Sequence, residues 1–197
     1  MNINIVGLDL DSVLSYTEDV LYKYIEQRFG ISTDWSKVDQ YEFECFPGFN
    51  REMAAQLNEE IESGVVLMDI MPHKYAEYAT QVLRYSGLGI YIITSRPESL
   101  KDPTKEWLKT HKIVYDKLFC VHSEEKNKLV NKFNIKAFVE DRADTLESIK
   151  KYCGVPSLGL YLVDHPWNRR CEDDSIDRVD NIMEAVHEII RRDGNGR

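Results

Sequence analysis

Two aspartates stand one residue apart in "VGLDLDSVL", at the end of an apolar run, and their spacing is the first sign of chemistry in the chain. In an extended strand residues i and i+2 point to the same side, so Asp9 and Asp11 crowd together at its terminus. Three further groups stand at comparable places. "IITSRP" ends a second apolar run with Thr94, Ser95 and Arg96, "SEEKNKLV" offers Lys126, and "FVEDRAD" closes another run with Glu140 and Asp141. If the strands carrying these groups are parallel neighbours, the acids share one edge. Two unit charges about 4 Å apart at an effective dielectric near 20 repel by about 4 kcal/mol, so a cation is implied. Carboxylate oxygens without histidine or cysteine suit Mg²⁺, which keeps several waters and accepts a substrate phosphate.

The elements that must position these groups alternate along the chain. Apolar, β-rich runs at residues 3–10, 89–95, 117–121, 137–141 and 158–164 predict strands. Helical periodicity fills most intervals. "TEDVLYKYIEQRFG" predicts a helix with Thr17 as N-cap and Gly30 as stop, and "NREMAAQLNEEIESG" predicts one ending at Gly64. "PHKYAEYATQVLRYSG" opens with Pro72 at a first helical position and closes at Gly87. Later helices are expected at 103–110, 124–133, 145–152 and 181–192, with "DTLE" reading as a capping box in which Asp144 caps and Glu147 reciprocates. Trp107, at helical spacing with Leu108, is expected in the core.

This alternation predicts a doubly wound parallel α/β sheet with ligands at the carboxyl ends of its strands. About 75 residues separate the first strand from the second, far more than the roughly 30 of a simple βαβ unit. The excess, residues 15–71, is mostly helical and rich in aromatics, and reads as a cap inserted into a core made of residues 1–14 and 72–197.

Composition limits the function classes. The chain has 197 residues, 43% hydrophobic and 30% charged, enough for one core and an appended subdomain. Its net charge of −9 and the absence of a basic stripe argue against gripping a long polynucleotide. No apolar run approaches the roughly 20 residues of a membrane helix, and the first residues lack a signal-peptide pattern, so a cytoplasmic protein is expected. Cys45, Cys120, Cys153 and Cys171 are scattered without a CxxC pair, which points away from zinc or a disulfide framework.

Taken together, "DLDSV", Thr94, Lys126 and "ED" at the fourth strand's end resemble the haloacid dehalogenase superfamily of phosphotransferases. Within it the chain is most similar to the 5'(3')-deoxyribonucleotidase and C-type 5'-nucleotidase group, through "TSRP", "EWLKTHKIVYDKLF" and "YLVDHPWNR" followed by "DRVDNIMEAV". The resemblance implies a Rossmann-like three-layer core with a helical C1-type cap after the first strand. It implies a Mg²⁺-dependent phosphomonoesterase acting on small nucleotides, with deoxyribonucleoside monophosphates as the substrates that family likeness suggests. Asp9 is then the nucleophile that becomes an aspartyl phosphate, and Asp11 the general acid and base. Thr94, Ser95, Arg96 and Lys126 bind phosphate. The metal is held by Asp9, the Asp11 backbone carbonyl, Asp141 and, through a water, Glu140. Tyr16, Phe43 and Phe46 are candidates for contact with a nucleobase. Three positions depart from the pattern: Ser12 stands where many relatives have Gly, Tyr16 where an acid is frequent, and Trp167 where Tyr is common. Competing readings are a phosphatase for another small ester or a nucleic-acid 3'-phosphate, and a non-catalytic Mg²⁺ and phosphate-binding module. A phosphoryl-receiver module uses the same residue types in a different chain order and has no insertion of this length.

Overall fold

A computed structural model describes residues 4–32, 34–66 and 69–195. The first strand, β1 (Ile5–Leu8), leads to helix α1 (Thr17–Phe29) and then to α2 (Arg51–Glu62), with short 3-10 turns at Trp35–Lys37 and Phe43–Cys45 between them. Then come α3 (Ala76–Tyr85), β2 (Gly89–Thr94), α4 (Lys101–Thr110), β3 (Lys117–Cys120), α5 (Lys126–Phe133), β4 (Ala137–Glu140) and α6 (Ala143–Tyr152). The chain ends with β5 (Gly159–Val163), β6 (Asp177–Val179) and α7 (Ile182–Asn195).

The six strands form one sheet in the order β3-β2-β1-β4-β5-β6, and every pairing is parallel. This is the parallel α/β architecture expected from the sequence. Because side chains alternate along a strand, each strand feeds two layers. Val6, Leu8, Ile90, Ile92, Val139, Tyr161 and Val163 pack on one face with Ala79 and Leu83 of α3 and Val186 and Ile189 of α7. Tyr91, Ile93, Phe138, Leu160 and Leu162 pack on the other with Val130 of α5 and Leu146 and Ile149 of α6. At Gly7 a Cβ would lie 2.5 Å from the Phe138 ring, so this central strand position accepts no side chain. Trp107 is buried, and its indole N–H donates to the Ile70 carbonyl at 2.7 Å.

Between β1 and β2 a third, smaller apolar cluster forms away from the sheet. Ile25 of α1 and Leu57 of α2 meet Val38 and Phe46 there. The segment leaves and returns through neighbouring backbone. Tyr16 N–H donates to the Met71 carbonyl and His73 N–H to the Leu14 carbonyl, both at 2.9 Å, and Ser15 bridges to both Asp11 and Pro72.

Several local expectations require correction. Tyr16, not Thr17, precedes α1, and the Thr17 hydroxyl donates instead to the Asp11 carboxylate at 2.7 Å. Gly30 does end α1, in the left-handed region at φ 69° that glycine adopts without a Cβ penalty. Pro72 lies outside α3, which begins at Ala76, because Pro72 is engaged in the bridge to Ser15. Asp144 forms no capping box; the Arg142 guanidinium takes its carboxylate at 3.0 and 2.5 Å. Residue 3 of the first expected strand lies outside the described residues, and β6 was not expected.

Candidate active site

The strand order reverses direction between β1 and β4, and a crevice at the carboxyl ends of strands is the usual ligand position of such a sheet. Asp9 follows β1 directly and is fixed by its N–H donating to Val139 of β4 at 2.9 Å. Glu140 is the last residue of β4, with Asp141 next. One carboxylate oxygen each from Asp9, Glu140 and Asp141 lie within 4.8 Å of one another, and all three residues are buried. Lys126, at the start of α5 and 1% exposed, bridges this group. Its Nζ donates to Asp9 Oδ1 at 2.5 Å and to Glu140 Oε2 at 2.7 Å. The other oxygen of Glu140 accepts the Asp141 and Arg142 backbone N–H groups at 3.2 and 3.4 Å.

Such crowding opposes ionisation. Burial, reinforced by Glu140, pushes Asp9 up to about 7 against the pull of Lys126. Burial likewise raises Glu140 to about 7, and burial together with Asp9 raises Asp141 to about 7. The donor set is all oxygen and its charges are strained apart, which fits a hard divalent cation better than zinc.

Asp11 has different surroundings. Arg96 holds it bidentately, Nε to Oδ2 at 2.9 Å and Nη2 to Oδ1 at 2.7 Å, and Thr17 donates to the same carboxylate. Burial alone would raise its pKa, but Arg96 and Thr17 outweigh it and hold the group below the ordinary aspartate value. Arg96, expected on a phosphate, is thus engaged with Asp11, as the fork of a guanidinium suits a carboxylate. Thr94 is fully buried; its hydroxyl lies 3.5 Å from Asp11 and accepts the Arg96 N–H at 3.2 Å. Ser95 is exposed at the rim.

These groups floor a cavity of about 300 Å³ lined by Asp9, Asp11, Lys126, Glu140 and Asp141 below and by residues of the inserted segment above. Phe43 and Phe46 contribute to that wall, with Leu21, Tyr41 and Ile61. Tyr16 is not among the lining residues. Its ring packs on His73 at 4.7 Å, and its hydroxyl accepts the Lys74 N–H at 3.5 Å.

Three positions that sequence reasoning gave no role, His165, Trp167 and Asn168, border the acidic group. The Trp167 indole N–H donates to Asp141 Oδ2 at 3.1 Å, and its ring stacks on His165 with centroids 4.4 Å apart and planes 4° apart. His165 Nε2 reaches the Ser12 carbonyl at 2.8 Å, and since a carbonyl only accepts, Nε2 carries the proton. Ser12 has φ 59°, in the left-handed region that favours glycine. Buried Asn168 donates to the Asp141 and Val163 carbonyls, both at 2.7 Å. The loop after β1 and the acids after β4 are therefore linked through residues 165–168.

This architecture is shared with solved hydrolases of the haloacid dehalogenase superfamily. A hydrolase of that superfamily from Geobacter sulfurreducens superimposes with a TM-score of 0.59 at 16% identity, over 95% of this chain and 97% of that one. A "Putative Phosphatase" from Clostridium difficile gives a TM-score of 0.65 at 18% identity, over 96% and 99%. In sequence, the chain is 26% identical over 193 residues to "Putative nucleotidase YqfW" of Bacillus subtilis, covering 94% of this chain and 97% of that protein. No protein-family model matches.

Proposed function

We propose that the protein is a Mg²⁺-dependent phosphomonoesterase that hydrolyses nucleoside monophosphates, deoxyribonucleotides foremost, in the cytoplasm. The observation that carries this reading is the buried set of Asp9, Lys126, Glu140 and Asp141 on the floor of a cavity walled by aromatic side chains. The similarity to proteins named as nucleotidases supports the substrate class.

Asp9, Asp141 and the Asp11 backbone carbonyl would hold the cation directly, with Glu140 behind a water. When bound, Mg²⁺ supplies the positive charge that lets an ionised carboxylate and a phosphate approach one another. Lys126 orients Asp9 and favours its ionised form against the burial that opposes it. An Asp9 oxygen attacks phosphorus, the bond from phosphorus to the ester oxygen breaks, and an aspartyl phosphate forms. Asp11 donates a proton to the leaving oxygen, then takes one from the water that attacks phosphorus and frees Asp9. In the arrangement described, Asp11 is ionised and paired with Arg96, which suits the second step. Donation requires that it part from Arg96, whose guanidinium is then free for phosphate oxygens. Thr94 and Ser95 supply hydroxyls on the same side. Residues 15–71 act as a cap over the core of residues 1–14 and 72–197, and Phe43 and Phe46 offer it faces on which a base stacks.

The test is phosphate release from ribo- and deoxyribonucleoside monophosphates and sugar phosphates, with Mg²⁺, with chelator, and with Asp9→Asn. Mg²⁺-dependent hydrolysis of nucleotides that is lost in the variant, with the fold retained, is expected. Turnover of sugar phosphates alone overturns the substrate assignment, and substantial activity in Asp9→Asn overturns the nucleophile.

A further inference from the structure

Glu18 has no part in the chemistry proposed for the cavity, yet it lines it. It is the second residue of α1, where the helix N-terminus favours a carboxylate. Its Oε2 is shielded from solvent and finds no hydrogen-bond partner among the described residues. An orphaned buried oxygen of this kind costs free energy until a donor reaches it. Burial pushes the Glu18 pKa up, while His165 and the Ser12 hydroxyl pull it down.

The cavity that Glu18 shares has a lining of two characters. Leu21, Phe43, Phe46 and Ile61 are apolar or aromatic and suit the face of a ring, whereas Asn58 and Glu62 join Glu18 in offering polar atoms. A base stacked on aromatic side chains is identified through hydrogen bonds to its edge. An ionised carboxylate is an acceptor only, so it pairs with an amine and repels a carbonyl. Cytosine and adenine carry an exocyclic amine where uracil and thymine carry a carbonyl oxygen.

Resting on the nucleotidase reading above, we infer that Glu18 selects the base, accepting a hydrogen bond from an exocyclic amine, so that the cavity favours amino-bearing nucleotides over uracil and thymine nucleotides. Deoxycytidine and deoxyuridine monophosphates test this cleanly, because they match in size and differ chiefly at one amine or carbonyl. A buried site that pairs a substrate donor rejects the analogue lacking it strongly. The ratio of kcat/KM for the cytosine over the uracil nucleotide is expected to be at least about tenfold in the wild-type protein, on the scale of one charge-assisted hydrogen bond. In Glu18→Gln the amide can present either a donor or an acceptor, and the ratio falls toward one. The wild-type ratio needs no variant, so a misfolded Glu18→Gln does not rescue the inference. Hydrolysis of both nucleotides with a ratio near one, or a ratio that Glu18→Gln leaves unchanged, overturns the role of Glu18 while the nucleotidase reading stands. Hydrolysis of neither overturns both.

Discussion

Replacing Lys126 with methionine keeps the volume of the side chain and removes its charge. At an effective dielectric near 20, an ammonium and a carboxylate about 2.6 Å apart attract by about 6 kcal/mol. Lys126 has two such contacts, at 2.5 and 2.7 Å. Its own desolvation offsets much of this, and breaking a buried ion pair from one side costs about 3–5 kcal/mol in practice. For a chain of this size that corresponds to a fall in Tm of roughly 6–20 °C at pH 8 without metal. The cost must shrink in acid. Asp9 and Glu140 already stand at about 7 in the folded protein, above their ordinary values of 3.8 and 4.5, and losing the lysine moves them higher. At pH 5.5 both are protonated in the variant and little repulsion remains. Lys128 is the control: its side chain is 71% exposed and pairs with Glu125 at 3.2 Å, a surface contact worth less than about 1 kcal/mol. Thermal melts at pH 5.5 and 8, with phosphate release measured alongside, check all of this. A Lys126→Met loss that is equal at the two pH values, or no larger than that of Lys128→Met, refutes the reasoning.

Two further outcomes are expected. In the metal-free protein, Asp9, Glu140 and Asp141 keep protons between about pH 4 and 7 that the unfolded chain has released, so stability falls as pH rises through that window. Mg²⁺ opposes this by favouring the ionised forms, so it should raise Tm more at pH 8 than at pH 5.5; an equal shift at both would show that the cluster is not the metal site. Trp167→Phe keeps a ring against His165 but removes the donor to Asp141. Losing such an outer partner weakens metal affinity by about 10–100-fold, read as the Mg²⁺ concentration for half-maximal activity, and an unchanged Mg²⁺ dependence would show that the indole N–H is idle.

The elements with long apolar periodicity were legible in the sequence. Five strands and the helices around them fall where periodicity predicts, to within a few residues. β6 escaped because Asp177–Val179 is a three-residue edge strand, too short to show an alternation. The acids at the ends of β1 and β4 could be gathered from the sequence because a parallel sheet puts strand ends on one edge. What pattern could not supply was the choice among partners. Thr17 and Asp144 are both good cap residues, and each instead found a stronger charged partner, Asp11 and Arg142 respectively. Tyr16 and Phe43 are both aromatics of the insertion, and only the path of the backbone decides that one meets His73 and the other the cavity. Trp167 and Glu18 carried a weaker signal: a lone aromatic in a loop, and an acid in a first helical turn where acids are ordinary.

The paired backbone at residues 14–16 and 71–73 also has a consequence for how the fold can change over time. Because the two ends of the insertion are clasped side by side, the stretch between them is a closed loop anchored on the sheet. Lengthening such a loop adds little closure entropy, about 0.6 kcal/mol per doubling. The clasp therefore works as a socket. Segments of different length and lining can be exchanged in it while Asp9, Lys126, Glu140 and Asp141 keep their places, so the cavity wall is free to evolve apart from its floor.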